Sequence, residues 1–323
     1  MFIYCIWYVT TNCNSRCNYC SIWRDPKYRC EMSPLAERLN MLYQLKRLGV
    51  FAIDFTGGEP LLYKGLPTLI RYAHRMGFFT SLVNNGTLYR KYADELKGNV
   101  NLLAFSLDSV DRETHDEIRG IKCYDDVLKS IIHARKLGET VMIKKTVVNG
   151  GLDTIPPMIK LAQRYGVILE LNILYSYFGN EQLTKEEMKR VLKWHSHPNV
   201  RMNRDIIKFM LDNGNNVNRP KCKIGKWILV IAPNNDLCFP CMHHVQETIP
   251  LIDLNIKKTL RSQRVRNLIE KVGKYDFCHR CAIPCYFEPI FVTKLDKYFL
   301  YWIKTQFGYL RKQIVLSLKK MWR

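Results

Sequence analysis

The segment Cys13-Asn14-Ser15-Arg16-Cys17-Asn18-Tyr19-Cys20 places three cysteines in a C-x3-C-x2-C spacing. Thiols this close together usually bind a metal, because soft sulfur ligands favour iron–sulfur clusters and zinc. A zinc knuckle needs a fourth ligand nearby, and no further cysteine lies between Cys5 and Cys30. A disulfide is the other interpretation. Three ligands without a fourth favour an iron–sulfur cluster that keeps one iron open.

The sequence around this loop predicts an alternation of strands and helices. The apolar residues 2–9 form a buried first strand that runs directly into the loop. Ser33 is the expected N-cap of the first helix. Predicted strands then cover 50–55, 78–83, 101–107, 141–148 and 167–172, and predicted helices cover 33–47, 66–76, 111–118, 125–137 and 154–165. Six strand-then-helix units are typical of a parallel α/β fold.

Polar or glycine-rich segments follow the predicted strands. They are Gly57-Gly58-Glu59-Pro60, Asn84-Asn85-Gly86, Ser106-Leu107-Asp108 and Asn149-Gly150-Gly151. In parallel α/β folds the carboxyl ends of the strands build the site. We therefore expect these segments to meet the cysteine loop at one edge of the sheet.

The cysteine spacing, with an aromatic residue before the third cysteine, resembles the cluster loop of the radical S-adenosylmethionine (SAM) superfamily. The resemblance implies that Cys13, Cys17 and Cys20 bind three irons of a [4Fe–4S] cluster. SAM would chelate the fourth iron through its amino and carboxylate groups, with Tyr19 near the adenine. It also implies a partial (β/α)6 TIM-type barrel.

The residues after the second strand match the Gly-Gly-Glu-Pro motif of the same superfamily. The resemblance implies that Gly57 and Gly58 let the backbone approach SAM, since a side chain would block that approach. Glu59, followed by Pro60, would help hold the SAM amino group. An ordinary turn is the alternative for this segment.

Weaker matches follow the later strands. Asn84 and Asn85 resemble a Thr-Asn-Gly motif in which asparagine replaces threonine. Ser106 and Asp108 stand where relatives contact the ribose or shape the pocket, although a structural turn explains them equally well. Lys144 or Lys145 would reach the SAM carboxylate. The alternative for these two lysines is a solvated surface charge.

The second half of the chain carries a second group of cysteines after a predicted linker or loop at 213–220, and a helix is predicted at 260–272. This group resembles the SPASM and twitch extensions of radical SAM enzymes. The resemblance implies one auxiliary [4Fe–4S] cluster, bound by Cys222, Cys241 and two of Cys278, Cys281 and Cys285. Cys238 is extra to that pattern, and a zinc ribbon is the alternative.

The remaining cysteines and histidines are predicted to have structural roles. Cys5, Cys30 and Cys123 are expected as buried thiols. His243, His244 and His279 are expected as surface or core side chains. The predicted domains are residues 1–205 for the barrel, 206–290 for the auxiliary cluster domain and 291–323 for a C-terminal helix.

Composition indicates a globular protein of 323 residues, with 47% hydrophobic and 24% charged residues. The apolar start lacks the basic residues and cleavage site of a signal peptide, so a cytoplasmic location is expected. The net charge of +21 predicts an acidic partner such as nucleic acid, an anionic membrane or an acidic substrate.

The C-terminal segment 291–323 is basic and amphipathic. It holds eight basic residues against the single acid Asp296. This pattern predicts an interfacial helix peripheral to the inner face of the membrane, and a helix packed on the barrel with a solvated basic face is the alternative. The predicted apolar face consists of Phe299, Leu300, Ile303, Phe307, Leu310, Ile314, Leu318 and Met321.

The predicted activity is reductive cleavage of SAM to a 5′-deoxyadenosyl radical, which abstracts hydrogen from a substrate C–H bond. The resemblance implies a reductant such as ferredoxin or flavodoxin, and a peptide, protein, lipid or small-molecule substrate. Glu170, Asn172 and Tyr175 are candidates for substrate acid–base work. The rival hypothesis is a non-catalytic iron–sulfur or zinc protein associated with nucleic acid. It is disfavoured because no exposed strand interleaves aromatic and basic residues.

Overall fold

The computed structural model describes residues 2–175, 177–293 and 295–307. Its strands form one sheet in the order β10-β9-β8-β1-β2-β3-β4-β5-β6-β7. The pairings from β8 through β1 to β7 are parallel, and β9 and β10 add antiparallel pairings at one edge. The strands are β1 Tyr4–Thr10, β2 Ala52–Gly57, β3 Phe79–Asn84, β4 Leu102–Ser106, β5 Val141–Val147, β6 Ile168–Ile173, β7 Val200–Met202, β8 Ile228–Ile231, β9 Leu237–Phe239 and β10 Glu247–Ile249.

The helices are α1 Leu35–Arg47, α2 Leu66–Arg75, α3 Tyr89–Leu96, α4 Arg112–Arg119, α5 Tyr124–Lys136, α6 Ile155–Tyr165, α7 Lys185–Leu192, α8 Arg204–Leu211, α9 Ile256–Arg261, α10 Gln263–Lys271 and α11 Pro284–Phe291. Helices α1 to α8 lie between successive parallel strands, and α9 to α11 follow the last strand. The alternation from β1 to β6 confirms the predicted α/β fold of the partial (β/α)6 TIM type.

Three local predictions need correction. Ser33 is not a side-chain cap, because α1 begins at Leu35 and no side chain caps its first turn. The helix α3 was not expected. The predicted helix at 260–272 is two helices, because the Ser262 hydroxyl accepts a hydrogen bond from Val265 N and starts α10 there.

The two faces of the sheet differ in their packing. The main core buries α1 side chains such as Leu42 and Leu45 against alternate strand residues. The inner face has its own small apolar cluster of Ala104, Met142 and Ile168. Because side chains alternate along a strand, Lys144 and Thr146 share the inner face with Met142. The inner face is therefore apolar at one level and polar nearer the carboxyl ends of the strands.

The first strand joins the two halves of the chain. Residues Tyr4 to Trp7 of β1 pair with β2 on one side and with β8 on the other. The buried Arg38 reinforces this junction by donating to Val9 O at 2.9 Å and Pro233 O at 2.7 Å. The sheet is thus continuous across the predicted boundary near residue 205, and the division into domains stays a prediction.

Residues 297–307 form a helix after α11 that packs through a different face from the predicted one. Tyr298 is buried against Phe209 and Phe291, and its hydroxyl donates to Asp212 Oδ2 at 2.8 Å. Leu300 and Phe307 are exposed. Residues 308–323 lie outside the described residues, so the membrane association stays a prediction. Within the described ranges, no helix is both long and apolar enough to cross a bilayer.

Candidate active site

The cysteine loop is held by the carboxyl end of α4. Arg16 N donates to Arg119 O at 2.8 Å, and Asn18 N donates to Ile118 O at 3.1 Å. These carbonyls have no partner within the helix, so the loop satisfies them. Gly120 ends the helix in a left-handed conformation, and a Cβ there would lie 2.6 Å from Arg16 O. Only glycine allows this close approach.

The Gly-Gly-Glu-Pro turn packs against the start of the same loop. Gly58 N donates to Thr10 O and Glu59 N donates to Asn12 O, at 2.9 and 2.8 Å. A Cβ on Gly57 or Gly58 would lie within 2.3 Å of a carbonyl oxygen of Thr10 or Asn12. The glycines are therefore required by the approach of two protein segments, which corrects the expectation that SAM alone imposes them.

Glu59 is buried at the centre of this edge. Its two carboxylate oxygens accept hydrogen bonds from Leu61 N at 3.1 Å and Asn85 N at 2.8 Å. Burial raises the pKa of Glu59 to about 7, although the backbone hydrogen bonds oppose that rise. A cationic ligand group beside it would favour the ionised form.

Asn85 connects the three segments of the site. Its backbone binds Glu59, and its side-chain amide donates to Asn14 Oδ1 at 2.7 Å and to Ser15 Oγ at 2.9 Å. Asn84 has a local role, because its amide donates to Ala104 O and its oxygen accepts from Gly86 N. The structure thus brings the cysteine loop, the Gly-Gly-Glu-Pro turn and the end of β3 together.

Asp108 forms a buried hub with Tyr19 and Arg119. Asp108 Oδ2 lies 2.7 Å from Arg119 Nη2 and accepts from the Tyr19 hydroxyl at 3.2 Å, while Oδ1 accepts from Thr146 N at 2.9 Å. Both oxygens are therefore engaged by the protein, which supports the structural alternative for Asp108. Ser106 is half-buried at the end of β4.

The two neighbouring lysines are not surface charges. Lys145 is buried and donates to Asp108 O. Lys144 lies on the inner face, with its Nζ 3.7 Å from Glu170 Oε2. Burial lowers the pKa of Lys144, but the Glu170 and Asp54 carboxylates outweigh burial, and the pKa is raised. The expectation of solvated charges is wrong because Lys144 is held on the inner face beside Glu170, whereas Lys145, on the opposite face of β5, is buried against Asp108.

The spacing of the three N-terminal sulfurs fits a cluster better than a zinc ion. Two sulfurs bound to one zinc at about 2.3 Å lie at most about 4.6 Å apart. Within the part of the chain that the structure describes, Cys13, Cys17 and Cys20 form no group with all sulfurs within 4.8 Å of one another. Among the described residues, the only group of that kind is His115, Asp116 and Cys123, where His115 Nδ1 already accepts from Asp108 N.

The C-terminal cysteines converge from three segments. Burial raises the pKa of Cys241, and the nearby thiols of Cys281, Cys222 and Cys278 add to it. Cys285 faces the inner side of the sheet, because Asp54 and Lys144 are among the charges acting on its pKa after burial. Within the described residues, these sulfurs also form no group as compact as one zinc requires.

Buried Asn215 holds these segments together. Its amide donates to Gly273 O at 2.9 Å and Cys278 O at 3.1 Å, and its oxygen accepts from Lys221 N at 2.9 Å. Its backbone N donates to Cys281 O at 2.9 Å. The segment 213–220, predicted as a linker or loop, is a loop that connects the cysteine-bearing segments through Asn215.

The remaining cysteines differ in burial and neighbours from the converging cysteines, whereas His243 packs close to them. Cys238 donates to Met242 Sδ at 3.8 Å, and the groups that raise its pKa besides burial are Cys30 and Asp236. Cys5 and Cys123 are buried thiols as predicted, but Cys30 is exposed. His243 is a core side chain whose Nδ1 lies 3.0 Å from the Tyr286 hydroxyl.

The remaining acid–base candidates lie on or near the inner face. Asn172 is half-buried on β6 beside Glu170. Tyr175 lies edge-on to His243, with ring centroids 5.7 Å apart. Burial raises the pKa of Tyr175, and the thiols of Cys285, Cys20 and Cys281 add to it. Tyr175 therefore lies between the two cysteine groups.

Sequence reasoning missed Arg119 and Asn215. Each is a single polar residue in a segment without a recognised motif, and its role depends on partners more than 50 residues away. The glycine after Arg119 marks a helix end, but it does not show that a cysteine loop docks there.

Comparisons with known proteins agree with this geometry. The family model described as the radical SAM superfamily matches residues 7–163. The Fe-coproporphyrin III synthase of Methanosarcina barkeri is 30% identical over 197 residues, which cover 58% of this chain and 49% of that protein. A probable GTP 3′,8-cyclase of Pyrococcus abyssi is 32% identical over 166 residues, which cover 50% of this chain and 54% of that protein. The chain thus spans about half the length of these relatives.

Solved structures show the same fold over most of the chain. Streptococcus suis SuiB superposes with a TM-score of 0.68 at 14% identity, over 90% of this chain and 73% of SuiB. The anSMEcpe protein with bound AdoMet superposes with a TM-score of 0.64 at 17% identity, over 98% of this chain and 99% of that chain. Residues 7–163 contain the cysteine loop and the Gly-Gly-Glu-Pro turn, and this part of the chain belongs to the radical SAM superfamily.

Proposed function

We propose that the protein cleaves SAM reductively at a [4Fe–4S] cluster bound by Cys13, Cys17 and Cys20, and that the 5′-deoxyadenosyl radical abstracts hydrogen from a substrate C–H bond. The observation that supports this most directly is the junction at Asn85, which ties the cysteine loop to Glu59. Members of the superfamily use such a cluster together with SAM. The cluster supplies the electron, and the chain supplies orientation and protection from water.

The residues around the junction have separate roles in this proposal. Glu59 binds the SAM amino group in its ionised form, and its two backbone hydrogen bonds fix the direction of the carboxylate. Asn85 holds the cysteine loop at a constant distance from Glu59. Tyr19 is positioned by its hydrogen bond to Asp108 and presents its ring beside the loop.

The inner face of the sheet favours a polar substrate over a lipid chain. Lys144 lies 3.7 Å from Glu170, and Arg201 Nη2 lies 3.8 Å from Glu288 Oε1. These four side chains make this part of the inner face charged. Placing an alkyl chain among these charges would remove their remaining water without replacing it, which is costly.

A peptide is the polar substrate that we propose. The structures of SuiB with the precursor peptide SuiA and of anSMEcpe with a peptide share the fold of this chain. The auxiliary cluster in this proposal is bound by Cys222, Cys241, Cys278 and Cys281. Cys285 extends from that group toward Lys144 and the substrate. A ferredoxin or flavodoxin is the proposed reductant.

The test is an anaerobic assay on the reconstituted full chain. With dithionite, the protein should convert SAM to 5′-deoxyadenosine, and Cys17→Ala should abolish the product while the exposed Cys30→Ala does not. A mixture of synthetic peptides should increase product formation more than phospholipid vesicles do, and Glu170→Gln should reduce that increase. Stimulation by vesicles alone would reject the peptide proposal but leave the cleavage activity established.

A further inference from the structure

A buried cation lies directly behind the cysteine loop. The Arg119 side chain is 9% exposed, and its Nη1 donates to Cys17 Sγ at 3.8 Å. Its Nη2 pairs with Asp108, which is 2% exposed, at 2.7 Å. Its Nε has no hydrogen-bond partner among the described residues. Arginine is rarely buried unless it is paired, and here Asp108 is the partner, which leaves Nη1 directed at the Cys17 sulfur.

The backbone of the same residue anchors the loop. Arg119 O accepts from Arg16 N, so both the backbone and the side chain of Arg119 contact the cysteine loop. The position of the guanidinium next to Cys17 is therefore set by α4 and by Asp108. Such a charge acts on its neighbours through a medium of low dielectric constant, where its effect is large.

We propose that Arg119 is a positioning residue that tunes the reduction potential of the cluster bound at Cys17, with Asp108 as its counter-charge. When the cluster takes one electron from a reductant, its net charge becomes more negative by one unit. The Arg119 cation stabilises that added charge, and the Asp108 carboxylate opposes this stabilisation. Hydrogen bonds to the sulfurs and local charge are known determinants of such potentials.

Arg119→Gln and Asp108→Asn separate this role from a purely structural one, because they should shift the reduction potential of the cluster in opposite directions. Arg119→Gln removes the cation and should make reduction at least tenfold less favourable, which is about 59 mV lower for a one-electron couple. Asp108→Asn keeps the shape and removes the opposing charge, so the potential should rise. Arg119→Lys keeps the charge and should shift the potential less than Arg119→Gln.

The measurement is a redox titration of the reconstituted full chain with dithionite, followed by electron paramagnetic resonance of the reduced cluster. Iron content is determined first, because the inference rests on the proposed cluster site. A chain without iron at Cys13, Cys17 and Cys20 would reject both the proposed function and this inference. Arg112→Gln, which alters an exposed ion pair on the same helix, is the matched control and should leave the potential unchanged.

The proposal stays testable even if Arg119→Gln fails to fold or to bind the cluster. If Arg119→Gln binds no cluster, Asp108→Asn and Arg119→Lys still decide, since a raised potential in Asp108→Asn supports the proposal. Shifts of the same sign in Arg119→Gln and Asp108→Asn, or no shift in either with the iron intact, overturn it.

Discussion

The two cysteine regions are built in opposite ways. Cys13, Cys17 and Cys20 lie within eight residues, and the loop between them is shaped by the end of α4 and by Asn85. The cysteines of the auxiliary region lie on three segments separated by tens of residues, and Asn215 holds these segments together. A short loop can form its ligand set locally, whereas the second set exists only after the chain has folded around it.

The largest expected effect is the loss of iron when either group of cysteines is replaced, together with the loss of SAM cleavage for the first group. Replacing Cys13, Cys17 and Cys20 together with alanine should remove about four of about eight irons and abolish SAM cleavage. Replacing Cys241 should remove the other four and leave reductive cleavage of SAM measurable. Iron analysis and 5′-deoxyadenosine formation are the measurements. Zinc in place of the second four irons would favour the ribbon alternative.

A single substitution at Asn215 tests whether this residue holds the cysteines of the auxiliary region together. Asn215→Ala leaves buried groups at Lys221, Gly273 and Cys278 without partners, each costing about 1–3 kcal/mol. We expect loss of the auxiliary irons with the N-terminal cluster retained, measured by iron content of the purified chain. The exposed neighbour Asn216→Ala is the control. Full iron content in Asn215→Ala would contradict the role.

A smaller effect, on thermal stability, tests how the end of α4 holds the loop that carries Cys13, Cys17 and Cys20. Gly120→Ala combines the cost of a left-handed residue, about 1–2 kcal/mol, with a collision at Arg16 O. Gly98→Ala is the matched control, because Gly98 is also left-handed but a Cβ there meets no atom within 4 Å. Thermal unfolding of the cluster-free chain should show a larger loss for Gly120→Ala. Equal losses would mean that the close approach to Arg16 does not matter.

The smallest effect is a pH dependence at Glu59. Because burial raises the pKa of Glu59 to about 7, the carboxyl is neutral below that pH and ionised above it. In the proposed binding mode the SAM amino group needs the ionised form, so SAM affinity should rise as the pH increases toward about 7, by up to about tenfold per unit. Without SAM, the folded chain keeps Glu59 protonated between the ordinary pKa of a glutamate and about 7, where the unfolded chain has lost that proton. The free energy of unfolding should therefore fall as the pH rises across this range. Glu59→Gln should remove the dependence.

The sequence predicted the fold and the meeting of the strand-end segments with the cysteine loop, because these signals are local. Strand ends followed by glycine or polar residues lie on one sheet edge by the geometry of parallel strands, so Glu59 and Asn85 were placed correctly. Roles set by distant partners were not predictable. For Asp108 the sequence left a ligand contact and a structural turn equally open, since nothing near it in sequence shows that Arg119 and Tyr19 engage it.

The pairing of β1 on both sides has a consequence for biosynthesis. The ribosome releases β1 first, and β2 covers one of its edges soon afterwards. The other edge stays open until β8 emerges, more than 200 residues later. During that interval a fully apolar strand leading into the cysteine loop presents an unpaired edge, which is a template for aggregation. A nascent chain that stalls before β8 therefore carries the segments of the first site on an incomplete sheet, and chaperone capture of such chains would protect both the strand and its thiols.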